Sequence, residues 1–248
     1  MLAAILAVAA QAQLPAPDKA AQETILSRIR ETAIAYADRL QDFICIQATT
    51  RSGSDNPSHP HWKTLETLTQ ELTYFNHRES LKLLTVNGGA PGAAAKIKTG
   101  YYQPGGEFGS YLLKVFSPAA QAQFEFEGVE SSSAAPVCVF RYRVPLATST
   151  WSVTANGDEI RLAHHGRVHA DCQTGAVLQL ELETEFTDHK PVGIQADLHY
   201  SPVAIGTTEF LLPAKVEEIA RYHSRLTKVA MEFRDHRKYS ADSVVTFK

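Results

Sequence analysis

The chain has 248 residues, with 24 Lys and Arg against 27 Asp and Glu, a formal charge of -3 and 44% hydrophobic residues. That is enough chain for one sizeable β domain, and the apolar fraction is ordinary for a packed core. The near balance of charge excludes the basic stripe that binds nucleic acid and the polybasic segment that an anionic membrane attracts.

Leu2 to Ala10 is an apolar run, followed by Ala10-Gln11-Ala12, the small-x-small pattern of a signal-peptide cleavage site. It predicts a signal peptide over residues 1–12 and a single mature domain over 13–248, periplasmic or secreted. The run is too short to span a bilayer as a helix, and no later stretch is long enough for a transmembrane segment. Three cysteines, Cys45, Cys138 and Cys172, allow one disulfide in three pairings, among which the sequence does not choose. Cys45 and Cys138 lie in apolar strand-like runs, which suits small buried hydrophobes.

Asp18 is placed to cap a helix running to about Gln41, because Ile25, Ile29, Ala33, Tyr36 and Leu40 form one apolar stripe. Phe43 to Arg51 reads as a strand, with Phe43 and Cys45 on one face and Ile44 and Ile46 on the other. Ser52 to His61 is a polar loop, and Leu65–Phe75 and Ser80–Val86 are strands, the second ending in the turn Asn87-Gly88-Gly89. Ala90–Lys98 reads as loop or short helix. The glycine-rich stretch Gly100–Gly109 opens onto a short helix over Phe108–Phe116, marked by Tyr111, Leu112, Val115 and Phe116. It matches neither the P-loop nor the dinucleotide fingerprint.

From Phe124 onward the chain is strand-rich. Cys138, Phe140, Tyr142 and Val144 share a face, opposite Arg141 and Arg143. Asn156-Gly157 is a two-residue hairpin signal, and Thr174-Gly175 marks another turn. Leu178 to Phe186 alternates apolar residues and Thr with polar residues, three of them glutamates, the period of an antiparallel strand with one wet face. Ile194–Tyr200, Phe210–Arg221, Leu226–Arg234 and Ser243–Phe247 complete a series of roughly ten strands.

Chemistry is sparsely marked. No Gly-x-Ser-x-Gly elbow occurs, and the apolar neighbours of Cys45 suit an inert thiol. His59 with His61, and His164, His165 and His169, invite a metal, but the first pair falls in a Pro-rich loop and His164-His165-Gly166 reads as a hairpin tip. No catalytic residue, metal or cofactor is therefore expected. A helix laid across a curved sheet leaves room for an apolar slot. Its candidate lining is Leu83, Phe140, Tyr142, Leu180, Leu182, Met231 and Phe233, residues that would serve equally as plain core.

Later segments carry a resemblance. Ala170-Asp171-Cys172-Gln173-Thr174-Gly175-Ala176-Val177-Leu178, Tyr200-Ser201-Pro202-Val203, Phe210-Leu211-Leu212-Pro213 and the run Met231 to Tyr239 follow a signal peptide, a long helix and a strand series. The whole resembles exported bacterial proteins of the LolA/LolB type, the outer-membrane lipoprotein sorting fold, and looks closest to a secreted branch of them. The resemblance implies an α+β, mostly antiparallel half-barrel: a curved sheet of roughly ten strands with the long N-terminal helix and the short helix on its concave side. It implies a non-enzymatic binder or carrier of lipid, acylated peptide or another hydrophobic ligand, acting as a monomer without nucleic acid. The alternative is an envelope protein-interaction or stress-sensing module without a small ligand; a histidine-based metal enzyme is the third possibility.

Overall fold

The computed structural model describes residues 16–91, 104–131, 135–155, 158–185 and 192–239. The leader, most of Ala90–Lys98 and the strand expected at Ser243–Phe247 lie outside them. Helix α1 spans Lys19–Ile34, and the Asp18 side chain caps it by accepting from the Ala21 N–H at 2.8 Å. The helix expected to reach Gln41 instead ends at Ala35, and Tyr36–Arg39 forms a single further turn, α2. The break lets Tyr36 meet Tyr200 edge-on at 6.0 Å and brings Ala37 against Gly109, where a Cβ would lie 2.9 Å from that of Ala37.

The strands are β1 (Phe43–Ser54), β2 (Lys63–Phe75), β3 (Arg78–Val86), β4 (Gln123–Ser131), β5 (Pro136–Val144), β6 (Ser152–Ala155), β7 (Asp158–Arg161), β8 (His164–Asp171), β9 (Val177–Thr184), β10 (Val192–Ile205), β11 (Thr208–Tyr222) and β12 (Arg225–Lys238). Helix α3, Ser110–Phe116, lies between β3 and β4 in sequence. Ten strands form one antiparallel sheet in the order β3-β2-β1-β12-β11-β10-β9-β8-β5-β4, while β6 and β7 pair separately. The sheet is open, with β3 and β4 at its edges, as the α+β half-barrel expectation requires. The chain leaves one edge at Val86 and re-enters at the other at Gln123, and α3 lies on that crossing.

Residues in register form rows across the sheet. One row runs Phe126, Phe140, Val168, Leu180, Leu198, Val216, Met231, Thr49, Leu68 and Val86. Phe140, Val168, Leu180, Leu198, Val216 and Met231 of this row are buried and join Ile29, Ala33, Tyr111, Leu112, Val115 and Phe116 of the helices in one core, with Phe126 packed against it. The face covered by α1 and α3 is called the inner face below. The opposite parity, with Arg141, Arg167, Glu181 and Asp197, stays open.

Two local features depart from the sequence expectations. His164-His165-Gly166 is not a hairpin tip; it lies within β8, with Gly166 opposite Tyr142 and Leu182. Glycine is needed there for close approach, since a Cβ would lie 1.9 Å from the Glu181 carbonyl oxygen, which accepts from the Tyr142 hydroxyl at 3.1 Å. Cys138 is not a free buried thiol but is bonded to Cys172, while Cys45 stays free and buried. The bond forms because the turn after β8 folds back beside the start of β5, where the Cys172 N–H donates to the Pro136 carbonyl at 3.1 Å. The same turn anchors α1: Arg28 donates to the carbonyls of Cys172 and Gln173 at 3.1 and 2.7 Å.

Gly166→Ala forces the β8–β9 ladder apart and is expected to cost about 3 kcal/mol, read as a lowered urea midpoint. Reducing the Cys138–Cys172 bond is expected to cost about 3–4 kcal/mol through the freed unfolded chain. Thermal melts with and without reductant check this, and Cys45→Ser, which leaves the bond intact, should keep the response to reductant.

Candidate functional site

The candidate lining residues fall into rows on the inner face. Phe140, Leu180 and Met231 share the row given above, and Tyr142 and Leu182 share the next through Gly166. Phe233 and Leu83 belong to a third row, separated by Gln47 and Gln70. Six are buried in the core beneath the helices, and Leu83 is half-buried near the β3 edge. The structure thus brings Phe140, Tyr142, Leu180, Leu182, Met231 and Phe233 into one apolar body and leaves Leu83 at its border.

Polar residues interrupt the inner parity, and sequence reasoning missed them. The row through Tyr142 continues Gly166, Leu182, Ala196, Glu218, Val229, Arg51 and Glu66. Arg51 and Glu66 form a buried ion pair. Glu218 is 0% exposed and accepts a hydrogen bond from the Tyr111 hydroxyl of α3. The signal was present: Val216, Glu218 and Ala220 share a parity, so a glutamate stands where the pattern calls for an apolar side chain.

The segment leading into α3 adds two more carboxyl groups. Glu79 of β3 accepts from the backbone N–H of Gly106 and Phe108 at 3.3 and 3.2 Å and hydrogen-bonds with the Glu107 side chain. Burial raises the pKa of both acids; for Glu107, which is 2% exposed, the neighbouring Glu79 and Glu218 push it well above the carboxylate range. Protonated Glu107 therefore donates to Glu79. Lys114 of α3 lies 4.1 Å from the centre of the Trp151 ring, and its burial lowers its pKa despite nearby Glu218 and Glu107.

Around these groups runs a belt of aromatic neighbours. Tyr111 meets Trp151 edge-on at 4.8 Å, and Trp151 meets His164 at 5.9 Å, as does Tyr142. Burial, then Lys114 and His165, lower the His164 pKa to about 4, so its ring is neutral at physiological pH. Among the described residues, Trp151 Nε1 and both His164 nitrogens of this belt have no hydrogen-bond partner, nor, elsewhere in the buried interior, do the Tyr36 and Tyr200 hydroxyls and Glu107 Oε1. Such atoms are normally satisfied in folded proteins, each at a cost of about 1–3 kcal/mol when they are not.

The open face carries a groove of about 950 Å³ lined by charged strand residues, among them Glu127, Arg167, Glu181, Asp197, His199 and Lys215. Its charges pair with one another: Arg167 reaches Glu127 at 2.8 Å and Glu181 at 3.5 Å, and His199 reaches Asp197 at 3.0 Å. His165 and His169 lie on this face and His164 on the other, which separates the cluster suggested by sequence. Among the described residues, no group of three His, Cys, Asp or Glu side chains is arranged to hold a metal ion.

An open antiparallel sheet covered on one face by helices defines the structural class. No family model matches the chain. No curated protein matches it either. Solved structures similar to it include a DUF1329 family protein from Desulfovibrio piger, at 7% identity and TM-score 0.38, covering 92% of this chain and 96% of that one. A LolA superfamily protein from Nitrosomonas europaea aligns at 9% identity and TM-score 0.40, covering 87% and 94%. A domain from Vibrio parahaemolyticus, described as of the outer membrane lipoprotein-sorting type, aligns at 11% identity and TM-score 0.38, covering 88% and 92%. The second and third are of the kind that the residues resemble, and at such identities the likeness concerns fold alone.

The raised carboxyl pKa values have a signed consequence. Glu79 and Glu107 hold their protons more tightly folded than unfolded, so their contribution is full below the ordinary carboxylate pKa and is lost as pH rises through the raised values. The melting temperature is expected to fall as pH rises above about 4 through that window. Glu107→Gln, which keeps a donor for Glu79, should flatten the profile.

Proposed function

We propose that the protein is a non-enzymatic binder or carrier of a hydrophobic ligand, such as a lipid or an acylated peptide, held between the helices and the inner face of the sheet. The observation that carries this reading is the apolar inner face beneath a seven-residue helix, holding at Trp151 and His164 buried polar atoms with no hydrogen-bond partner among the described residues. An amphiphile answers both halves of that environment. Its chain gains about 0.8 kcal/mol per buried CH₂ among Phe140, Tyr142, Leu180, Leu182, Met231 and Phe233, with Leu83 at the border. Its polar end supplies the missing partners.

The cover is suited to exchange. Helix α3 is short, and the segment before it is held by Glu79 through two backbone N–H groups. Displacing α3 would withdraw Leu112, Val115 and Phe116 from the core and make room for a chain. Binding of this kind needs no bond-making step and no metal. The Cys138–Cys172 bond suits an oxidising compartment, in keeping with a periplasmic or secreted monomer formed by residues 13–248. No described helix is long and apolar enough to cross a membrane. The charged groove on the open face favours a second reading, an envelope protein-interaction module.

Native mass spectrometry of the chain beginning at Gln13, purified from a periplasm, tests the proposal. A bound lipid released on denaturation, and rebinding of a fluorescent fatty acyl probe after delipidation, are the expected results. A clean apo mass with no rebinding would overturn it in favour of the second reading.

A further inference from the structure

The segment that brings α3 over the sheet is fastened at its near end by two acids. Glu79 of edge strand β3 accepts from the N–H groups of Gly106 and Phe108 at 3.3 and 3.2 Å, and its carboxyl group is hydrogen-bonded to that of Glu107. Two carboxyl groups share a hydrogen bond only when one of them carries a proton. Glu107 is 2% exposed, so ionising it in place would set a second buried negative charge beside Glu79. Gly109 gives α3 no side-chain cap. Glu107 and Phe108 stand between Gly106 and Gly109, whose φ angles of 89° and 122° bound the segment with two flexible residues. The ring contacts show what the segment covers. Phe108 lies 5.1 Å from Phe43 and 5.1 Å from Phe233. Phe233 is opposite Gln47 in the register, so Phe108 bridges the stretch of β1 in which Cys45 lies fully buried.

We propose that Glu79 and Glu107 form a proton-dependent clasp on the α3 cover, closed while one proton is shared between them and opened as that proton is lost. Acid conditions keep the cover shut, and a rise in pH frees it. The clasp concerns how the cover moves and does not depend on the carrier reading. In the open segment Glu107 meets water and titrates as an ordinary carboxyl group, at about 4.3. Above that pH, opening releases a proton. The opening equilibrium therefore rises about ten-fold per pH unit up to the raised pKa of the closed pair, and levels off beyond it.

Other ionisable groups face the pair from each element packed against it. Tyr36 of α2, Tyr74 of β2, Tyr200 of β10 and the Cys45 thiol of β1 are all held above their ordinary values, chiefly by burial. Glu218 of β11 accepts from Tyr111, and Lys114 of α3, its pKa lowered by burial, faces both Glu218 and Glu107. Further out, Asp38, Asp42 and His77 border Tyr74. His236 of β12, its pKa lowered by burial, meets Phe43 at 5.7 Å. Glu107→Gln separates the clasp from all of these, because it keeps a donor for Glu79 and removes the proton.

Cys45 is the free thiol of a chain whose other two cysteines are bonded, which makes it a reporter of the opening. The experiment follows its alkylation by N-ethylmaleimide from about pH 5 to about pH 8, above the ordinary carboxylate range, in the chain beginning at Gln13 with its disulfide intact. Each rate is divided by that of the urea-unfolded chain at the same pH, which removes the titration of the thiol itself. The relative rate is expected to rise about ten-fold per pH unit through the lower part of that range, and Glu107→Gln, shown by its melting curve to be folded, to abolish the slope. Hydrogen exchange read by mass spectrometry locates the motion: amides over 106–116 are expected to be at least about ten-fold less protected than those of Ile194–Leu198 in β10. A flat wild-type profile, or a slope retained in Glu107→Gln, would overturn the clasp. Equal protection of α3 and β10 would overturn it as well, because the cover would then open only with the whole fold.

Discussion

The connection from β3 to β4 is the constraint on which the rest of the molecule depends. These strands are the two edges of the ten-stranded sheet, so the chain between them has to traverse the whole width of one face. The traverse brings α3 over the sheet and draws Glu107 and Phe108 inward with it. Backbone N–H groups on that path need acceptors once they leave water, and the Glu79 carboxylate supplies two such contacts from the edge strand itself. The burial of Glu79 and Glu107 and their raised pKa values follow from that topological requirement.

The sheet separates two kinds of polarity. On the open face, charges alternate along and across strands and satisfy one another in water. Exposed pairs of this sort contribute little to stability, but they keep a broad β surface from pairing with others. On the inner face, each polar group is dehydrated. Arg51 with Glu66, and Tyr111 with Glu218, are the paired cases, and removing one partner of either would strand the other in a low dielectric. Around Trp151 and His164 buried polar atoms lack partners among the described residues, as Gln47 Oε1 and Arg51 Nε do elsewhere on that face.

Much of this architecture is legible in the residues because a strand with one buried face writes its orientation at every second position. Leu180, Leu182 and Thr184 turn inward as their alternation with glutamates implies, and Arg141 and Arg143 turn outward. Glycine is where such reading misleads. Beside two histidines it suggests a turn, yet Gly166 serves a close approach in mid-strand, which only the neighbouring strand reveals. The pairing of Cys138 with Cys172 likewise depends on how β5 and β8 align, information that no single segment carries. The apolar part of the candidate site could be named from parity alone. Glu218 and Glu107 could not be assigned a role, because their meaning comes from Tyr111 and Glu79, which are remote in sequence.

The position of β1 beside β12 has a consequence for how the molecule comes into being. Strands β1, β2 and β3 are made first, yet they join the other strands only through β12, the last of the series. Until synthesis reaches Arg225–Lys238, the early three-stranded unit has a free edge along Phe43–Ser54. Assembly is therefore governed by long-range pairing and cannot proceed strand by strand behind the ribosome. A chain cut short before β12 would keep the β4–β5–β8–β9–β10–β11 block and lose the attachment of its own beginning.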